Sequence, residues 1–401
     1  MRLRARAGPV QEAACELGMG AISVLKFGGS SFANPAAYNT VARYLARRVA
    51  AGELLCVVVS AMSGTTGRLS ELLDAITPDA LPEDRDAVLG TGEVLASALV
   101  RAALVAEHIQ AVSLNAFQLG WCASDTFTRG QLISYPAKCI SAALQRAQVA
   151  VISGGQATTQ DGRLVMLGRN SSDLTAIAAA VALGCQSVTI FSDVEGVFTA
   201  DPYRFANTLL IPRLSYRQAH AYSEFGAKVL YSACIKLAEQ HRVRIKCASL
   251  LNEDHASYGT EIAEEGTGVQ VCLPDNFVVC RPTMVESLCG AANRDSGEWT
   301  ELLPIVGWPG YVAARLDDHY RQMVAAGRLV TADDLSLIVS FSGDEVPQAY
   351  AAPRGERLSR AQAIHDELLI DSPFQEVHRR VSKARGTHSG VFLGSSEAAA
   401  V

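Results

Sequence analysis

Short apolar runs recur along the chain at residues 22–25, 55–59, 112–114, 149–152, 188–191 and 243–248. Their length and their Val and Ile content predict strands buried inside a sheet. Between them, helical periodicity occupies 36–51, 91–107, 133–145 and 174–183. Strand and helix in regular alternation predict an α/β fold around a mainly parallel sheet. Loops that carry function then gather at the carboxyl ends of the strands, where Lys26, Ser60 and Asp193 all fall. Past residue 260 the texture changes, as Glu261, Glu264 and Glu265 lead into Gly266-Thr267-Gly268 and a looser pattern with strand-like segments at 277–280, 335–341 and 390–393. A boundary near residue 265 follows, with 1–20 as an N-terminal extension, 21–265 as the main domain and 266–401 as one or two small α+β modules.

Composition narrows the function classes. With 401 residues the chain is long enough for about two to three domains. Its net charge of −6 argues against a general nucleic-acid binder, leaving local basic sites for small anions. The ten cysteines are scattered, without C-x-x-C or metal-ligand spacing, so neither a disulfide framework nor a resident metal centre is expected, and a reducing cytoplasm is the simplest home. The basic start Met1-Arg2-Leu3-Arg4-Ala5-Arg6 is followed by Gln11, Glu12 and Glu16 instead of an apolar stretch, which does not fit a secretory signal. Residues 174–192 carry no charge, but Gly184 divides them into an alanine-rich helix and a β-rich run, so no membrane span is expected.

Four segments carry candidate chemistry. Lys26-Phe27-Gly28-Gly29-Ser30-Ser31 puts an ammonium and two glycines where a buried strand ends, an arrangement suited to a polyphosphate. Its lysine precedes the glycines, unlike a P-loop, and taken alone it fits a tight turn with a solvated lysine equally well. Leu167-Gly168-Arg169-Asn170-Ser171-Ser172-Asp173 precedes a helix that Ser172 or Asp173 can cap, with Arg169 offering a planar fork for a carboxylate or phosphate. In the acidic, turn-rich loop from Ser192 to Pro202, Asp193 or Asp201 suits Mg²⁺ and Phe198 suits an adenine, although a plain hairpin has the same pattern. Lys228, in Phe225-Gly226-Ala227-Lys228-Val229-Leu230, is by itself an ordinary surface lysine.

Together with Val57-Val58-Val59-Ser60-Ala61-Met62-Ser63-Gly64-Thr65-Thr66 and Thr91-Gly92-Glu93, these segments, in this order, resemble the amino acid kinase superfamily, and within it the aspartate kinases. The resemblance covers residues from about 22 to 262. It implies an αβα sandwich with a mainly parallel central sheet, followed by a smaller, degenerate ACT-like α+β region. It also implies transfer of phosphate from MgATP to the side-chain carboxylate of L-aspartate or a related amino acid. Lys26 would bridge donor phosphates and acceptor, Gly28 and Gly29 would give backbone donors, and Asp173 would orient Lys26. Ser192, Asp193, Phe198, Asp201 and Lys228 would serve the nucleotide. Arg169 would hold the α-carboxylate and Glu93 the α-ammonium, with Ser60, Thr66 and Ser172 as hydroxyl contacts. Without the resemblance, Glu93 reads as a helix N-terminal carboxylate serving the macrodipole. ACT-type pairing would make the protein a homodimer or higher homo-oligomer.

Four departures stand out. Asn170 and Ser171 replace two glycines of the usual G-R-G-G-S-D, Tyr203 replaces the arginine of D-P-R, Gly154-Gly155-Gln156-Ala157-Thr158 replaces G-F-x-G, and Tyr231-Ser232 replaces H-P. They leave open a kinase with another carboxylate acceptor, or a non-catalytic paralogue.

Overall fold

The computed structural model describes residues 21–227, 230–250, 259–266, 268–282, 303–343 and 347–370. Lys228 and the segment 390–393 lie outside them.

The centre is an eight-stranded sheet. In chain order its strands are β1 (Ile22–Phe27), β2 (Leu54–Val59), β3 (Ala111–Leu114), β4 (Val149–Ser153), β5 (Ser187–Ser192), β6 (Arg213–Ser215), β7 (Arg244–Ser249) and β8 (Thr260–Ala263). Across the sheet they run β6-β8-β7-β5-β1-β2-β4-β3, and every pairing is parallel except β7 with β8. All six apolar runs begin or end within a residue of their strand, because unbroken Val/Ile runs are stable only where both faces are covered.

Helices supply that cover. On one face α1 (Pro35–Ala50) and α3 (Pro82–Ala106) pack over Leu25, Phe27, Leu55, Val57, Val149 and Val151. On the other, α4 (Ser172–Leu183) and α6 (Ser232–His241) pack over Val24, Cys56, Val58, Val188 and Ile190. The αβα sandwich is therefore as expected. Alternation along β1 decides the site: Ile22 and Val24 face α4, so Lys26, two residues on, faces it too.

Two helices differ from expectation. The one read from Thr91 begins at Pro82, where proline's fixed φ favours a first helical turn. The one read over 133–145 shrinks to Lys138–Leu144 behind a strand at Leu132–Ser134, since Pro136 disfavours helical geometry in the residue before it. Helix α3 is long and apolar enough to cross a membrane by composition. Here it carries buried Asp86 and Glu93 and packs against the sheet, as a core helix does.

After β8 come two small antiparallel sheets. One pairs Val269–Cys272, Leu335–Ser342 and Gln348–Pro353, and α7 (Arg357–Ile370) shares its apolar cluster. The other has the order Leu303–Pro304, Val312–Arg315, Phe277–Pro282, Leu329–Thr331. Phe225, at the end of α5 (Tyr216–Glu224), stacks on Phe277 at 4.8 Å and meets Phe341 edge-on at 5.6 Å, so these sheets share an aromatic core with the main domain.

Candidate active site

Lys26 Nζ lies 2.6 Å from Asp173 Oδ1, and both side chains are largely buried. The pair exists because β1 turns Lys26 toward α4, whose first turn carries Asp173. That carboxylate oxygen has no hydrogen-bond partner, so the ammonium is its compensation among the described residues. Lys26 also stands in a cross-strand row with Ile190 and Cys247. Cys247, like Cys234 on α6, is a buried thiol whose pKa is raised first by burial and then by the negative charge of Asp173. Neutral thiols thus line the apolar side of the ion pair, a feature with no signature in the sequence.

Around this pair the other segments converge by close approach of backbone. A Cβ on Gly28 would come within 3.3 Å of Lys26 Nζ, and one on Gly29 would meet the Ala61 carbonyl at 2.8 Å. The Gly28 N–H donates to Phe191 O, next to Ser192, and the Ser60 N–H donates to Phe27 O. A Cβ on Gly154 would strike Ser172 Cβ at 2.7 Å and Val59 O at 2.9 Å. At Gly29 and Gly154 a side chain would overlap neighbouring backbone, so these two positions require glycine.

Glu93 joins from α3. It is buried mid-helix, too far from the helix end for the macrodipole to explain it, and it accepts a hydrogen bond from the Ala61 N–H at 3.4 Å. Burial pushes its carboxyl up to about 7 against two backbone hydrogen bonds. Thr66 is exposed on α2 (Thr65–Ile76), whereas Thr65 is buried near the Gly92 backbone. Of the two threonines, Thr65 is the one turned toward the helix of Glu93.

The segment before α4 resolves the glycine departures. Asn170 takes a left-handed φ of 61°, which asparagine tolerates, and Ser171 folds inward, its hydroxyl donating to Gly168 O at 2.6 Å. Neither Ser172 nor Asp173 caps the helix: they are its first two residues, and Ser171 at the N-cap makes no side-chain cap bond. The first-turn N–H groups therefore stay available to an anion. Arg169 stands exposed beside them. Asp86, which the sequence did not single out, ties the loop at Thr128 to the strand Leu164–Met166 that leads into this segment, accepting from Thr128 N–H at 2.7 Å and Met166 N–H at 2.9 Å. Gln156 is fully buried, donating to Gly90 O and accepting from Ala116 N–H.

The acidic loop forms an irregular hairpin, with Thr199 N–H donating to Leu209 O and Ile211 N–H to Val197 O. Ser192 Oγ donates to Val194 O, Asp193 is exposed and Phe198 half-buried. Asp201 is exposed, one carboxylate oxygen accepting from the Tyr203 N–H. No group of three His, Cys, Asp or Glu side chains among the described residues is placed to hold a metal ion. The hairpin is the plainer of the two expectations for this loop, and the chain enters it from the end of β5, where Phe191 O accepts from the Gly28 N–H.

The model of the amino acid kinase family matches residues 21–249. The aspartokinase of Mycolicibacterium smegmatis is 34% identical over 294 residues, 73% of this chain and 66% of that relative. An aspartate kinase of Pseudomonas putida is 30% identical over 245 residues, 61% of this chain and 60% of that one. The chain thus spans less than two thirds of the length of these curated relatives. In fold it is similar to E. coli aspartokinase III in complex with aspartate and ADP, with a TM-score of 0.66 and 19% identity over 87% of this chain and 100% of that one. With 229 of its residues under one family model and the family's αβα sandwich built around them, the chain belongs to the amino acid kinase family.

Proposed function

We propose that the protein transfers the γ-phosphoryl group of MgATP to the side-chain carboxylate of L-aspartate, forming 4-phospho-L-aspartate and ADP. The observation that carries this reading is the Lys26–Asp173 ion pair beside the uncapped N-terminus of α4. The names of the curated relatives support the choice of acceptor.

A transferring phosphoryl group needs positioning and countercharge more than a covalent partner. Lys26 neutralises charge that spreads onto the phosphoryl oxygens, and Asp173 holds its ammonium in place. N–H groups of Gly29 and the first turn of α4 serve the same oxygens, while the Gly28 N–H is already held by Phe191 O. An aspartate side chain, with a pKa of about 3.9, is already ionised at neutral pH, so attack requires no general base. Its carboxylate oxygen bonds to phosphorus as the bond to the ADP oxygen breaks. Glu93 pairs with the α-ammonium and Arg169 with the α-carboxylate, with Ser60 and Ser172 as hydroxyl contacts and buried Thr65, rather than exposed Thr66, as the threonine on the side of Glu93. Ser192, Phe198 and Lys228 serve the nucleotide. The metal would come with the nucleotide and supply countercharge to its phosphates, and Asp193 and Asp201 would hold it through water.

A different carboxylate acceptor was suggested by Asn170, Ser171 and Gln156. Two of these are occupied with internal hydrogen bonds, which leaves Asn170 as the remaining departure on the acceptor side and supports aspartate. Incubating the protein with MgATP, L-aspartate and hydroxylamine tests the reading. Aspartyl hydroxamate is expected; none at high enzyme, or a better yield from another amino acid, would overturn it.

Residues 266–401 complete the proposal as an ACT-like region that pairs two copies of the chain, a reading supported by the two small sheets with helices against them. The free cysteines, six of the eight described ones being buried, support a reducing cytoplasm.

A further inference from the structure

Helix α7 reaches into the acidic loop. His365 on α7 is 1% exposed, and its Nε2 lies 2.9 Å from Thr199 Oγ1, itself buried. Thr199 Oγ1 accepts from Leu209 N–H at 3.0 Å and keeps its proton and a second lone pair for the imidazole. Nδ1 faces Asp366 Oδ1 at 3.5 Å, while Phe205 tilts against the ring. Neighbouring bonds repeat the link. Gln362 brackets the Ala206 backbone, Gln270 Nε2 donates to Phe198 O at 2.9 Å, and Val271 N–H donates to Thr199 O. Ala200, Phe205, Ile338, Ala361 and Ile364 close an apolar cluster around the contact.

Thr199 sits between Phe198 and Asp201, so whatever fixes Thr199 fixes both. We infer that His365 is a positioning residue for the nucleotide, holding the 197–205 hairpin through Thr199 so that Phe198 and Asp201 meet the bound MgATP. This rests on the kinase reading above. It places a specific group of the C-terminal region in control of the nucleotide half of the site while the acceptor half, built from Glu93 and Arg169, is untouched.

The test compares the full chain with His365→Ala and His365→Gln, the latter keeping an acceptor near the Nε2 position. Loss of a buried hydrogen bond that orders a binding loop is expected to raise the KM for ATP about tenfold in His365→Ala. The KM for aspartate should stay within about twofold, and glutamine should recover most of the ATP affinity. Hydrogen exchange at amides 197–206 should quicken in the alanine variant and not across β1 and β2. An unchanged KM for ATP despite faster exchange would overturn the inference while leaving the kinase reading intact. So would equal losses in both KM values with a matching fall in Tm in both variants, the mark of a purely structural role. Wild-type protein that neither binds nor turns over MgATP would remove the kinase reading itself and this inference with it, a result seen before any variant is compared.

Discussion

At the scale of single residues, Glu93 and the Lys26–Asp173 pair are opposite cases of burial. Asp173 is compensated by an ammonium at 2.6 Å, whereas Glu93 has only backbone donors, and burial raises its carboxyl to about 7. A carboxyl raised above its unfolded value binds a proton in the folded state that the unfolded chain has lost. Stability therefore falls as pH rises from about 4.5 to about 7 and is level above that. The full span is on the order of 3 kcal/mol. Glu93→Gln is expected to flatten this slope and to be more stable than wild type at pH 8, as urea titrations across pH would show. If Glu93 receives the acceptor's ammonium, the ionised form binds, so aspartate affinity rises through pH 7 and binding releases a proton, measurable by calorimetry in buffers of different ionisation enthalpy. Removing Asp173 strands a largely buried ammonium. Asp173→Ala is expected to cost about 3–5 kcal/mol and, with Lys26→Ala, to lower kcat by about 10²–10³ or more. A Lys26→Ala variant with wild-type turnover would exclude the ion pair from the chemistry.

At the scale of elements, the site is made by close packing between loops at strand ends. Gly154 has no room for a methyl group, because Val59 O and Ser172 Cβ are both within 3 Å of where it would lie and neither is a flexible side-chain end. Gly154→Ala is expected to destabilise the protein by about 1–3 kcal/mol and to shift α4 relative to β2, with activity falling more than stability. Asn170 is the contrasting position. Its left-handed φ is acceptable to Asn or Gly, so Asn170→Gly should fold and turn over like wild type, whereas Asn170→Val should cost about 1–2 kcal/mol in chemical denaturation. The strands were legible from their apolar runs, since a parallel sheet covered on both faces leaves no other pattern. The start of α3 was harder to read: Thr91-Gly92-Glu93 looked like a helix beginning, and nine further helical residues from Pro82 put Glu93 in the middle instead.

At the scale of the whole molecule, the C-terminal sheets and the main domain share the aromatic cluster of Tyr222, Phe225, Phe277 and Phe341. Arg315 adds an ion pair to Glu224 across the same junction. A chain ended at residue 265 would expose Tyr222 and Phe225 and is expected to aggregate or to bind a hydrophobic dye, as size-exclusion chromatography and fluorescence would report. Phe225→Ala in the full chain should cost about 3–5 kcal/mol. What the sequence determined by itself was local: strands, glycines, and the residue types that phosphate and amino-acid chemistry require, all written in short segments with their own periodicity or composition. What only the tertiary structure decided was pairing over distance. Lys26 and Asp173 meet because the alternation of β1 and the seating of α4 agree, Glu93 approaches neutrality because a helix buries it, and His365 reaches Thr199 across 166 positions of chain. Burial and proximity depend on how elements stack, which no single segment encodes.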